Sequence, residues 1–334
     1  MGSEMCIRDR GKIYLYQEKY ADAKSELEKV ISSGKYDLIA DVSTFYHPAS
    51  AGCKEYVLEC VRHYDPSNMY SQEGWFGILA NWGFGYGFIA GPEASMHYKF
   101  NTTSGYSYFN PSKSLYDAFV AEEGADGYRL NAWIRTWEQV IAMNIAVNTT
   151  TNKYASEGYF RLKWLASTDD EFVGYWCGNQ SNTPVIRYAD VLLMAAEACL
   201  QAGDQAGADE YLGRVRDRAR LPRKSHVTLS DIKLERRLEL AMEGMRFQDL
   251  KRWGDAPAVL ADKGKKLPTF QIVPDPNNDL TTAAGIYNAR YTTKTTYVDN
   301  EKSLAGWTPN RDEWLPFPEN ELEVNSNLKQ NPGY

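Results

Sequence analysis

The chain has 334 residues, a formal net charge of −7, 43% hydrophobic residues and 13% aromatic residues. That hydrophobic content excludes general disorder. No apolar run is long enough for a bilayer-spanning helix, and the acidic balance argues against a nucleic-acid partner. The length suits one large domain or two modest ones. The excess of Tyr and Trp points to a surface that stacks or clamps a ligand, because these side chains join an apolar face to a polar edge.

Residues 1–10 lack the basic and apolar regions of a signal peptide, and Cys6 has no apolar lead-in. They read as an unassigned leader, with the domain starting at Gly11. From Gly11 to Gly34 the spacing predicts two short helices. Ala23, Leu27, Val30 and Ile31 share one face of the second. This unit has an echo: aligning Leu15 with Leu200 pairs Ala23 with Ala208, Leu27 with Leu212 and Val30 with Val215. Helix pairs with small residues at the crossing are the unit of tetratricopeptide-type repeats.

Between residues 64 and 184 Gly, Asn, Ser, Thr and aromatics dominate. Short helices are expected at Lys113–Glu122 and Arg135–Met143. Residues 70–109 hold twelve aromatics in forty positions, and Trp82, Phe84, Tyr86 and Phe88 alternate with Gly83, Gly85 and Gly87. In an extended chain these four rings project to one side. One reading is a stacking platform for a sugar-like ligand. The other is a satellite core under a loop or a protein contact.

From residue 185 helical pattern returns. Tyr188, Leu192, Ala195, Ala196 and Cys199 share a face, and Ala208–Ala219 forms the return helix before Pro222. A single helix is expected from about Ser230 to Trp253, capped by Ser230 and stopped at Gly254. Between Arg214 and Arg252 twelve Lys or Arg face six Asp or Glu. Their interleaving, with Glu243–Arg246 and Arg246–Asp249 at i, i+3 spacing, favours structural ion pairs. From Pro268 to Pro318 the composition is loop-like.

The five cysteines contain no CxxC pair and the four histidines are scattered, so no metal motif is present. No nucleophile elbow, phosphate loop, HExxH or dinucleotide fingerprint occurs, and no cofactor is implied. A glycosidase carboxylate pair stays open, because its separation is not readable from sequence. Asp169-Asp170-Glu171 reads as a solvated loop.

Several ordered motifs resemble the SusD/RagB family of nutrient-binding outer-membrane lipoproteins. Ile186 to Ala198 is similar to its "IRYAEVLLxYAEA" helix, and Val215 to Ala219 to "VRxRA". Glu235 to Phe247 with Asp249 to Trp253 is similar to "ERRxELAFEGxRFxDLxRW". Gln330 to Tyr334 matches the usual ending, Gly11 to Leu38 the helical repeat, and Asn110 to Phe119 the "PTQELVDAF" helix. Arg187, Glu197, Arg236, Arg237, Glu239, Glu243 and Arg246 read as architecture, because a buried charge needs a partner.

The resemblance implies a mainly α fold, a tetratricopeptide-like helix-pair scaffold carrying long irregular, aromatic-rich excursions. One domain is expected over 11–334: helical repeats at 11–63, the excursion at 64–184, a helical core at 185–256 and a loop-rich part at 257–334. It implies capture of an oligosaccharide without catalysis and delivery to a SusC-like TonB-dependent transporter. It places the protein at the cell surface, held to the outer membrane only by an N-terminal lipid that residues 1–10 do not match. A longer native chain is therefore expected. The expected sugar contacts are Trp75, Trp82, Tyr86 and Tyr106 by stacking and Asn81 by hydroxyl bonding, with Trp176 as a further ring. A peptide-binding or purely scaffolding relative is the alternative.

Overall fold

A computed structural model describes residues 3–61, 88–89, 110–136, 138–139, 146–147, 153–154, 156–163, 182–279, 281–282, 284–285, 290–301 and 305–334. Two helix pairs form the frame. The first is α1 (Ser3–Tyr16) with α2 (Tyr20–Ser32). Helix α1 begins well before Gly11. Gly11 sits at the crossing, where an added Cβ would meet Leu27 Cγ at 2.8 Å. Later labels skip to α5 (Tyr188–Gln201) and α6 (Gln205–Arg218), which form the second pair. Helix α2 packs on α5 and joins the pairs.

The echo in the sequence is an echo in space. Ala23, Leu27 and Val30 are buried, as are Ala208, Leu212 and Val215, in one hydrophobic core. Helix α5 is buried from Tyr188 to Cys199, including Asp190 and Glu197. A helix buried on all sides sits at the centre of its layer, and its two carboxylates must then find cations.

The single helix expected over 230–253 is two. Helix α7 (Leu229–Glu239) is capped by Thr228, not Ser230, in a capping box with Asp231. Helix α8 (Arg246–Arg252) follows a turn in which Met242 and Gly244 have φ of 65° and 79°. The apolar spacing stays in phase across the turn, so periodicity alone does not reveal it. Gly254, at φ 71°, ends α8 as expected. The short helix α9 (Ala256–Val259) comes next.

A second core joins Val42, Phe45, Tyr46 and Tyr56 to Phe119, Leu130, Trp133, Ile134, Leu238 and Ala241. Part of the 64–184 segment thus folds into the body, through α3 (Lys113–Glu123) and α4 (Tyr128–Trp133). No helix starts at Arg135. Residues Ile134–Thr136 form a strand, β3, antiparallel to β6 (Tyr159–Arg161).

The stretch expected to be loop-like holds the two longest strands among the described residues. Strands β8 (Lys266–Pro274) and β9 (Tyr291–Asp299) pair antiparallel, with Phe270 opposite Thr295. The β-branched Thr292, Thr293, Thr295 and Thr296 suit a pleated, half-exposed ribbon. Strand β5 (Lys153–Tyr154) adds to its other edge. Helix α10 (Glu319–Val324) precedes the C-terminal turn.

Candidate functional site

The chain leaves the frame on β1 (Tyr56–Cys60) and returns on β7 (Thr183–Arg187). These strands pair antiparallel, with Tyr56 opposite Arg187 and Cys60 opposite Thr183. Both ends of the aromatic-rich segment therefore issue from one two-stranded neck. Trp75, Asn81, Trp82, Tyr86, Tyr106 and Trp176 lie outside the described residues, as do Cys177 and Asp169-Asp170-Glu171. Of the alternating ring series, Phe88 falls in a short strand, β2 (Phe88–Ile89), antiparallel to β4 (Ala146–Val147).

The neck stands on a buried ion network. Glu235, Glu239 and Glu243 recur every fourth residue around the end of α7. They receive cations from three separate stretches of the segment above. Arg129 on α4 donates to Glu235 at 2.6 Å and Glu239 at 2.9 Å, and to Glu123 at 2.7 Å. Lys163, just past β6, reaches Glu243 at 2.5 Å. Arg187, the last residue of β7, reaches Glu239 at 3.0 Å and Glu243 at 2.6 Å. It also donates to Glu55, just before β1, at 2.6 Å. The Tyr188 amide donates to the Glu55 carbonyl at 2.8 Å. The base of the neck is thus closed by side chain and backbone together.

Two arginines of α6 complete the network. Arg218 bridges Glu55 and Glu239, and Arg216 bridges Glu122 and Glu235. Aromatic rings line the cations. Lys163 Nζ lies 3.6 Å from the centre of the Trp133 ring, and Arg187 lies 4.8 Å from that of Phe45. The turn after α7 matters here. It turns the carbonyls of Glu239 and Ala241 toward Lys163, which donates to them at 2.7 and 3.2 Å. A continuous helix would have used the Glu239 carbonyl internally.

A second network accounts for the remaining motif charges. Arg236 donates to Asp190 at 3.0 Å and Asp249 at 2.9 Å. Arg252 holds Glu197 at 2.5 Å, and the Trp253 indole donates to the same carboxylate at 2.9 Å. Arg237 donates to the carbonyl and hydroxyl of Ser114. The expected i, i+3 pairs around Arg246 do not form. Glu243 is taken by Arg187 and Lys163, and Asp249 by Arg236 and Arg252. Burial makes cross-element pairs decisive, since each inward carboxylate must be neutralised where it points. Glu55, Arg129 and Lys163 belong to no sequence motif noted above. Their segments lack periodicity, so no local pattern marks them.

These environments set a pH dependence. Burial alone would raise the Glu239 carboxyl, but Arg218, Arg187, Arg129 and Lys163 hold it well below the usual carboxylate range. For Asp190, Arg236 and Arg8 outweigh burial in the same way. Their stabilisation is complete above the ordinary carboxylate range and is lost as pH falls through it. Lys163 behaves oppositely. Burial pushes its ammonium down to about 8 from 10.5. Between those values the unfolded chain keeps a proton that the folded chain has lost, so stability rises with pH. Urea unfolding across this window should show the rise, and Lys163→Met should remove it. An identical slope in the variant would contradict the assignment.

Metal chemistry finds little purchase among the described residues. Glu28, Cys199 and Asp204 place ligand atoms within 4.8 Å of one another. Yet Lys24 holds Asp204 at 2.7 Å, Tyr211 donates to Glu28 at 3.1 Å, and burial pushes the Cys199 thiol up to about 12. Cys199 is a buried core residue, as its helical face suggested.

The architecture is shared with known proteins. A laminarin-binding SusD-like protein superposes with a TM-score of 0.66 at 26% identity, over 100% of this chain and 63% of that one. A surface glycan-binding protein A from Bacteroides fluxus superposes with a TM-score of 0.64 at 26% identity, over 97% and 61%. A SusD-like protein of Bacteroides ovatus is 31% identical over 170 residues, which is 45% of this chain and 29% of that protein. The chain thus aligns with under a third of that curated relative and spans under two thirds of these solved structures. The SusD family profile matches residues 54–334, from the neck through the helical core to the last residue. With the neck, the helix pairs and the charged motifs of α5 to α8 all falling in this frame, the chain belongs to the SusD family.

Proposed function

We propose that this chain captures oligosaccharide at the outer face of the outer membrane and passes it to a SusC-like TonB-dependent transporter, catalysing no reaction. The observation that carries this reading is the neck. A segment rich in Trp, Tyr and Gly has both ends issuing from one strand pair, fixed beneath by the Glu55–Arg187–Glu239 network. A preorganised base lowers the ordering cost of a binding surface. The names of its solved relatives, one laminarin-binding and one surface glycan-binding, support sugar as the ligand class. The proposed contacts are Trp75, Trp82, Tyr86 and Tyr106, with Asn81 and Trp176 beside them. No helix among the described residues is long and apolar enough to cross a membrane, so the proposed attachment is a lipid on the full-length protein.

Calorimetry against laminari-, xylo-, manno- and malto-oligosaccharides tests the reading. At least one series should bind, and Trp82→Ala or Trp75→Ala should weaken it about tenfold, as loss of a stacked ring and its burial requires. Unchanged affinity in both variants would move the site elsewhere. Capture of a transporter with no sugar binding would favour the scaffold alternative.

A further inference from the structure

The outer face of α8 carries a second group of rings and cations, remote in sequence from the aromatic segment. Asp249 and Leu250 of α8 are buried. Phe247 and Lys251 lie one turn apart, and the Lys251 ammonium sits 5.5 Å from the rings of both Phe247 and Trp314. Phe247 also packs against Trp307, with centroids 6.4 Å apart. Arg252, the next residue, lies 5.6 Å from the Tyr16 ring, which Lys12 approaches to 5.7 Å. Trp314 is 54% exposed and Tyr16 40% exposed.

The charge of this face is unbalanced although the whole chain is acidic. Glu197 and Asp249 are spent on Arg252, and Asp255 holds Lys233 at 2.7 Å. Among the described residues Lys12, Arg246 and Lys251 form no ion pair. Lys12 and Arg246 are also partly desolvated, since burial lowers both below their ordinary values. Partly desolvated cations without a counter-ion attract an anion more strongly than solvated ones do. Glu313, beside Trp314, is the acidic residue that opposes this surplus.

We propose that this face is a second, independent polysaccharide-binding surface that takes anionic sugars. Exposed Trp314 and Tyr16 would pack on pyranose C–H faces, and Lys251, Lys12 and Arg246 would pair with carboxylate or sulfate groups along the chain. Rings set beside free cations match a ligand whose repeating unit has both an apolar face and a negative charge. The inference does not depend on the aromatic segment binding sugar.

Affinity electrophoresis of the whole chain tests it, in gels containing polygalacturonate, dextran sulfate or uncharged dextran. Retardation is expected with at least one polyanion and not with dextran. The two polyanions separate carboxylate from sulfate recognition. Trp314→Ala and Lys251→Gln should each weaken the effect about fivefold, while Trp82→Ala leaves it intact. Thermal melting of both variants confirms that they fold, as these side chains lie outside the core. Failure of both polyanions to retard the chain overturns the proposal. So does full retardation of Trp314→Ala, which would mean undirected charge attraction. Loss in Trp82→Ala would assign the ligand to the aromatic segment and also overturn it. Polyglutamate serves as a competitor. Binding of polyglutamate that needs Trp314, with no polysaccharide binding, would make the occupant an acidic protein and sink the idea.

Discussion

Replacing Glu239 by Gln should lower the unfolding free energy by ~3–5 kcal/mol, the cost of breaking a buried charge cluster on one side. Glu239 is fully buried and accepts from Arg187 at 3.0 Å, Arg129 at 2.9 Å and Arg218. A Gln of the same volume loses the charge that all three share. Its amide NH2 would also face a guanidinium, donor against donor. Urea unfolding monitored by Trp fluorescence reads the change. The matched control is Glu210→Gln. Glu210 pairs with Arg223 at 2.6 Å, but both side chains are about half exposed, so the loss there should stay under ~1 kcal/mol. Equal losses at the two positions would show that the network does not organise the core. The same variant should weaken glycan binding, because Glu239 links Arg187 of the neck to Arg129 and Arg218.

Trp133→Ala should cost a similar amount, ~3–5 kcal/mol, through cavity formation in the second core. The Trp133 ring is wholly buried against Phe45 and the edge of Phe119, and it forms the floor under Lys163. Its indole donates to the Val42 carbonyl at 3.1 Å. Trp133→Phe separates these roles. It keeps an aromatic floor for Lys163 but leaves the Val42 carbonyl without its donor, which costs ~1–3 kcal/mol. The Ala variant should therefore unfold at distinctly lower urea than the Phe variant. Coincident transitions for the two would assign the whole effect to the hydrogen bond and none to the ring.

These two residues also show where sequence reading reaches its limit. Glu239 was legible as architecture, since it stands in a charged motif on an amphipathic helix and an inward carboxylate needs a cation. Its partners were not. Arg129 and Lys163 lie on short, aperiodic segments, and nothing local says that they meet α7 more than seventy residues away in the chain. The turn at Met242–Gly244 was hidden for a related reason. Leu238, Ala241 and Met245 keep helical spacing on both sides of it, while the carbonyls that it frees are used by Lys163. The β8–β9 ribbon was missed because Asn, Asp and Pro in its connection outweighed the alternating Thr of β9.

What the sequence by itself determined is the helical frame and the family. Apolar periodicity places the Ala23-Leu27-Val30 and Ala208-Leu212-Val215 faces, because burial of a stripe repeating near 3.6 residues is a local requirement. Only the tertiary structure decided what holds the aromatic segment to that frame. Ion pairs between Glu55, Arg129, Lys163, Arg187 and Glu239 depend on where separate segments come to rest. Coulomb attraction acts through space and leaves no periodic trace along the chain. The aromatic richness first visible in composition thus acquires a mechanical base, a two-stranded neck standing on a buried carboxylate ladder.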